Sequence, residues 1–254
     1  MTKYIHEATV IGMGSLGTAL MRRFDHSEVV GTSRNTPNYF QQILESKILL
    51  LCMKQGDILT WLDKYTGSLN DENIVISFGA ALNLSSLASH TRNQSLTLVR
   101  AMTNKGIAYS PQNIVWTSES VLEATKTARI NQLFNHIGNS YYVGVGRDRV
   151  IDKETHKACD MGRIAYLLNE YQQSLVTGLE YLPEEAVETI IQSLGAVMQS
   201  LRQGESLDQI ARRVASKGGI TEASNGEMGE ISSVFRLGMK AASAKMRELN
   251  NQYK

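Results

Sequence analysis

The chain has 254 residues, 42% hydrophobic and 20% charged, an ordinary soluble composition with length for one large domain or two modest ones. Its net charge of +1 makes no electrostatic case for nucleic acid or a membrane surface, and no apolar run reaches the roughly 18 residues a membrane helix needs. Cys52, Cys159 and five scattered histidines match no metal-ligand spacing, so no metal is expected.

In chain order, MTKYIHEATVIG holds no long apolar stretch ahead of a cleavage site, which leaves the cytoplasm as the expected compartment. ATVIGMG is a β-branched run ending in glycine, and SLGTALMRRF follows at helical spacing. EVVGTS, KILLLCMK, NIVISFGA and LTLVRAMT are further short apolar runs, with helices expected in GDILTWLDKYTGSL and LSSLASH. IVWT and SYYVGVG extend the set, with the helix VLEATKTARINQLFNHIG between them. Continuous apolar strands alternating with helices indicate an α/β fold, a doubly wound parallel sheet covered on both faces.

Strand character stops at about residue 147. RIAYLLNEYQQSLVTGL is apolar around most of its circumference, which suggests burial on several sides. EEAVETIIQSLGAVMQSL places Val187, Ile190, Ile191, Leu194, Met198 and Leu201 at helical spacing just after Pro183. SLDQIARRVAS and ISSVFRLGMKAASAKMRELNN complete an all-helical second half. A helix apolar all round is hard to bury in so small a domain, so this half is expected to form a homodimer.

Gly12-Met13-Gly14-Ser15-Leu16-Gly17 is a G-x-G-x-x-G that directly follows the first strand and opens a helix. The glycines allow a tight turn, the approach of a pyrophosphate and close helix–strand packing. Residues 1–147 therefore read as a Rossmann-type dinucleotide-binding domain, and residues 148–254 as a helical dimerisation domain, to which the family resemblance given below adds substrate binding. The second strand ends in Gly31-Thr32-Ser33-Arg34-Asn35-Thr36, without the acidic residue that would bind the ribose hydroxyls of NAD. Ser33, Arg34 and Asn35 suit the 2′-phosphate of NADPH, which is the expected cofactor, with NADH as the second choice. A second glycine cluster, Gly218-Gly219-Ile220-Thr221, lies between two helical patterns. Glycines there let an anion reach helix-terminal N–H groups without meeting a Cβ; they also serve as a plain turn.

IGMGSLGTAL, LCMKQGD, NIVISFGAALNLSSLA, LVRAMTNKG, a helical half and SKGGITEA occur in this order over nearly the whole chain. In this the sequence resembles the pyrroline-5-carboxylate reductases. The resemblance implies NAD(P)H-dependent reduction of a cyclic imine carboxylate to L-proline, in proline biosynthesis. It also implies a Rossmann domain followed by a helical domain that dimerises and completes the active site. On the matching positions, Gly218, Gly219, Ile220 and Thr221 receive the substrate carboxylate, with the Thr221 hydroxyl near the imine nitrogen as the catalytic candidate. Lys54, Ser77 to Ala80, Met102, Thr103 and Asn104 fall near the nicotinamide end of the cofactor.

The departures from the family pattern are systematic. Gln55, Gly106, Ile164 and Lys217 stand where the family commonly has proline, and Lys105, Arg163 and Lys217 bring cations into motifs that are usually neutral. Two alternatives follow: a reductase of a more anionic imine, or a diverged NADP(H)-binding regulatory protein. A third, the β-hydroxyacid dehydrogenases, needs a lysine in a glycine-rich helix followed by asparagine; Lys157 and Asn169 have the wrong spacing for it. Assemblies larger than a dimer are left open by the sequence.

Overall fold

The seven apolar runs are the seven strands of one sheet in the computed structural model, which describes residues 4–215, 217–228 and 230–253. They are β1 (His6–Ile11), β2 (Val29–Thr32), β3 (Ser46–Leu51), β4 (Ile74–Ser77), β5 (Thr97–Met102), β6 (Asn113–Ser118) and β7 (Asn139–Val145). The spatial order is β2-β1-β3-β4-β5-β6-β7. Pairing is parallel from β2 through β5 and between β6 and β7, but β6 runs antiparallel to β5. The expectation of a parallel sheet is corrected at that one join. A parallel return needs a crossover of about a dozen residues or more, and residues 103–112 supply only a short 3-10 turn.

The strands are apolar on both faces because both faces are covered. Ile48 and Leu50 enter one core with Val10, Ile76, Val99 and Trp116, beneath α1 (Ser15–Met21) and α5 (Ala124–Ile137). Leu49 and Leu51 enter the other with Ile11, Val75 and Leu98, beneath α3 (Gln55–Tyr65) and α4 (Leu84–Ser89). The short helix α2 (Tyr39–Leu44) adds Ile43 to this second core. Successive side chains on a strand alternate faces, so an uninterrupted apolar run is what two cores require.

Three helices escape the sequence patterns: α2, α6 (Asp148–Ala158) and α10 (Ile220–Glu227). The others are α7 (Asp160–Leu179), α8 (Pro183–Arg202), α9 (Leu207–Val214) and α11 (Ile231–Gln252). The chain divides into two compact units, Met1–Met161 with Ser243–Lys254, and Gly162–Ala242. In the first, the end of α11 brings Tyr253 against the second core, where its carbonyl accepts from Ser86 Oγ. In the second, the buried cluster is small: Leu175, Ala186 and Ile190, with Leu168 and Val176 against it. Among the described residues no helix is long and apolar enough to cross a membrane, and no group of His, Cys, Asp and Glu could hold a metal ion.

Candidate functional site

β1 delivers the chain to Gly12, whose φ of 98° lies in the left-handed region that favours glycine. A Cβ there would come within 2.5 Å of Met53 Cγ. A Cβ on Gly17 would stand 2.1 Å from the Gly12 carbonyl oxygen, so the third glycine lets α1 lie directly on the turn. Gly14 is different: nothing lies within 4 Å of the place its Cβ would take. Gly14 also caps α1 without a side-chain acceptor, and no acidic residue occupies the first turn. The loop thus combines two glycines required by the backbone with one that keeps space open at a helix start, the arrangement a pyrophosphate needs. Met13 and Ser15 are exposed at this rim, while Leu16 packs against the first core.

A cavity of about 390 Å³ opens beside the turn, bringing together Gly12, Ser33, Arg34 and Asn35. The end of β2 is closed by Ser33, whose N–H donates to Thr36 Oγ1 at 3.0 Å. Arg34 extends into solvent, 81% exposed, with its guanidinium 3.7 Å from the Asp57 carboxylate. The facing wall is one side of α3: Asp57, Thr60, Trp61 and Lys64, at i, i+3, i+4 and i+7. Behind it, Trp61 and Tyr39 each lie against the Tyr65 ring, at centroid distances of 5.5 and 5.7 Å. Burial pushes the Tyr39 phenol up to about 12, against the opposing effect of its bond from Trp61. Tyr39 therefore stays neutral, its oxygen accepting from Trp61 Nε1 at 3.0 Å. The cavity offers a guanidinium for a phosphate and flat apolar surface for a base.

The remaining expected residues of this unit lie at the carboxyl ends of β3, β4 and β5. Lys54 is exposed and forms the N-cap of α3. After β4, Ser77 Oγ accepts from the Gly79 N–H at 3.1 Å, and Ala80 packs against Met102 and Ile151. Ala81 follows with φ 57°, a left-handed alanine held in a buried turn. Met102, which ends β5, and Thr103, which follows it, are buried and line a cavity of about 200 Å³ with Asn104, Glu154 and Lys157. Asn104 is held within its own loop: Oδ1 accepts from Gly106 N at 2.7 Å and Nδ2 donates to Gln112 Oε1 at 2.9 Å.

Arg100 on β5, fully buried, fixes this end of the sheet. Its Nη1 donates to Asp148 Oδ1 at 2.9 Å and its Nη2 to Asp152 Oδ1 at 2.6 Å, both on α6. The Asp148 carboxylate also accepts from Leu84 N, the first residue of α4. One guanidinium therefore anchors two helices beside the strand end and loop that carry Met102 and Asn104.

In the second unit, Gly218 takes a left-handed φ of 72° and Gly219 is the N-cap of α10. Gly219 supplies no side-chain acceptor, and a Cβ on Gly218 would have nothing within 4 Å. Ile220, the first helical residue, is almost wholly exposed, and Thr221 follows partly buried. Ser216 of the same motif lies outside the described residues. By contrast α9 begins with a reciprocal cap, Ser206 N donating to Gln209 Oε1 and Gln209 N to Ser206 Oγ.

The sequence reading missed Tyr39, Asp57, Trp61 and Lys64 as cavity residues. For the last three the signal was present as the spacing in DILTWLDK, which reads equally as core packing. It also missed the Arg100 pair, whose signal is one arginine inside an apolar strand.

No family model and no curated protein matches the sequence. Solved structures do match. The Plasmodium falciparum pyrroline carboxylate reductase with NADP bound aligns over 99% of this chain and 100% of its own, at 15% identity and a TM-score of 0.81. The 1-pyrroline-5-carboxylate reductase of Streptococcus pyogenes aligns over 97% of both chains, at 19% identity and 0.74. The fold is that of the pyrroline-5-carboxylate reductases. The Coxiella burnetii pyrroline-5-carboxylate reductase shares it as well, over 96% of this chain and 98% of its own, at 18% identity and 0.74. The likeness runs from the Rossmann-type sheet through the helical region.

Proposed function

We propose that this chain is an NADPH-dependent reductase of a cyclic imine carboxylate, with 1-pyrroline-5-carboxylate as substrate and L-proline as product, working in the cytoplasm in proline biosynthesis. The observation that carries the reading is the phosphate loop, where Gly12 and Gly17 serve the backbone and Gly14 keeps the approach of a pyrophosphate open. Solved reductases of the same fold, one of them with NADP bound, support it. NADH is the second cofactor to test.

When bound, the cofactor supplies a hydride to the imine carbon. The chain's part is to bind, orient and exclude water. Residues Gly12 to Gly17 would hold the pyrophosphate, and Ser33, Arg34 and Asn35 the 2′-phosphate. Lys54, Ala80, Met102 and Asn104 would border the nicotinamide end. The N–H groups that open α10, reached past Gly218 and Gly219, would hold the substrate carboxylate, and the Thr221 hydroxyl would orient the imine nitrogen.

Nicotinamide absorbance after addition of pyrroline-5-carboxylate tests this. NADPH should be consumed, and Thr221→Val should lower kcat/KM by about 10–100-fold, the loss of one hydrogen bond to a charged group. Tight NADPH binding with no turnover of this or of a more anionic imine would overturn the reductase and favour a regulatory protein.

The proposed homodimer rests on the helical unit. In this unit, whose buried cluster is small, Tyr166, Val187, Ile191, Met198, Val234 and Leu237 are all exposed. Val187, Ile191 and Met198 lie on one stripe of α8, and a stripe of this kind marks an interface. Light scattering should give the mass of two chains, and Val187→Asp with Ile191→Asp should give one; a monomeric wild-type chain would refute the dimer.

A further inference from the structure

Asp57 stands in the cavity that the reading above gives to the 2′-phosphorylated ribose. It lies in the first turn of α3, half exposed, with its carboxylate 3.7 Å from the Arg34 guanidinium. A phosphate arriving at Arg34 meets a carboxylate already paired with that cation. It must displace the carboxylate and then remain beside a like charge. A ribose with a free 2′-hydroxyl has the opposite experience, because the hydroxyl can donate to Asp57. The ion pair itself is solvent-exposed and breaks at little cost, so the carboxylate's own charge is what separates the two nucleotides.

We propose that Asp57 sets the cofactor preference: it moderates the affinity for the 2′-phosphate and admits the unphosphorylated dinucleotide alongside it. The inference rests on the nucleotide reading of the cavity. It differs from the usual pattern in placing the ribose-facing acid on α3 rather than at the end of β2. Lys64, two turns further along the same face of α3, lies 5.0 Å from the Tyr65 ring centroid, which leaves Arg34 as the cation that Asp57 opposes directly.

Calorimetric titration with 5′-AMP and with 2′,5′-ADP isolates this subsite from turnover. Asp57→Asn should tighten 2′,5′-ADP about tenfold and weaken 5′-AMP about threefold, as expected for removal of one charge near a phosphate. Asp57→Glu should keep the wild-type ratio, and raising the salt to about 0.5 M should shrink the difference between wild type and Asp57→Asn. An unchanged ratio in Asp57→Asn, with both nucleotides bound by the wild type, would overturn the inference alone. Failure of the wild type to bind either nucleotide would overturn the nucleotide reading, and this inference with it.

Discussion

Replacing Gly17 by alanine is expected to cost the protein both stability and nucleotide affinity, whereas replacing Gly14 by alanine costs affinity alone. The Gly17 Cβ would stand 2.1 Å from the Gly12 carbonyl oxygen and 3.3 Å from Val10 Cγ1. The first of these is backbone and cannot rotate away, so α1 must lift off the turn. Overpacking of this kind costs about 2–3 kcal/mol, a fall in Tm of roughly 5–10 °C. The lifted helix also moves its N–H groups from the pyrophosphate position, and NADPH affinity should fall roughly a hundredfold, about 2.7 kcal/mol. Gly14 has φ −79° and ψ −163°, a conformation alanine adopts freely, with nothing within 4 Å of its Cβ. Its alanine variant should melt within about 1 °C of wild type. The added methyl would stand in the space left for the pyrophosphate, and affinity should again fall roughly a hundredfold. Calorimetric melting paired with NADPH titration reads both quantities. Wild-type NADPH affinity in Gly14→Ala would remove the pyrophosphate from this loop.

The same physics explains what could be read in advance. The strands were legible because a sheet covered on both faces needs uninterrupted apolar runs, and ILLL or IVI allows little else. The direction of β6 was not, because pattern records burial and not sense; the shortness of residues 103–112 decides it. DRVIDKETHKA hid a helix because only Ile151 and Thr155 of it are buried. Its place is set by Asp148 and Asp152 meeting Arg100, a contact between residues about fifty apart in the chain.

In the candidate site, the glycine loop and Arg34 were legible because each residue type answers a local demand: a positive φ, a helix packed onto a turn, a cation at a strand end. The α3 wall was not, since Trp61 serves the second core as well as the cavity and its spacing reports only the first role. Asn104 shows the converse. Its type and position were plain, but both ends of its amide are committed to Gly106 and Gln112, which depends on how the loop closes. Residue type identifies a candidate; only the hydrogen-bond partners reveal what the side chain has left to offer.

Arg100→Ala is expected to be the most destabilising single substitution outside the apolar core. The guanidinium is wholly buried, and it answers two carboxylates that are each about one quarter exposed. Removing one partner of a buried ion pair costs about 3–5 kcal/mol, because charge is left without its counter-ion. Here Asp148 and Asp152 can draw some water, which places the loss near the lower end, about 3 kcal/mol, with Tm lowered by roughly 6–12 °C. The damage should not stop at stability. α6 loses its anchor on β5, and Met102 and Asn104, which follow Arg100 on the same strand and loop, should show faster amide hydrogen exchange. The triple variant Arg100→Met, Asp148→Asn, Asp152→Asn relieves the unpaired charge and keeps an unbranched stem in the arginine's place. It removes every charge of the cluster, while the amide oxygen that replaces the Asp148 carboxylate can still accept from Leu84 N. Most of the lost stability should return in it, as it does where buried ion pairs give way to uncharged side chains of similar volume. If urea denaturation shows the triple variant no more stable than Arg100→Ala, neither relief of unpaired charge nor a refilled stem restores the protein, and what the alanine variant loses is the set of hydrogen bonds that the guanidinium donates to α6.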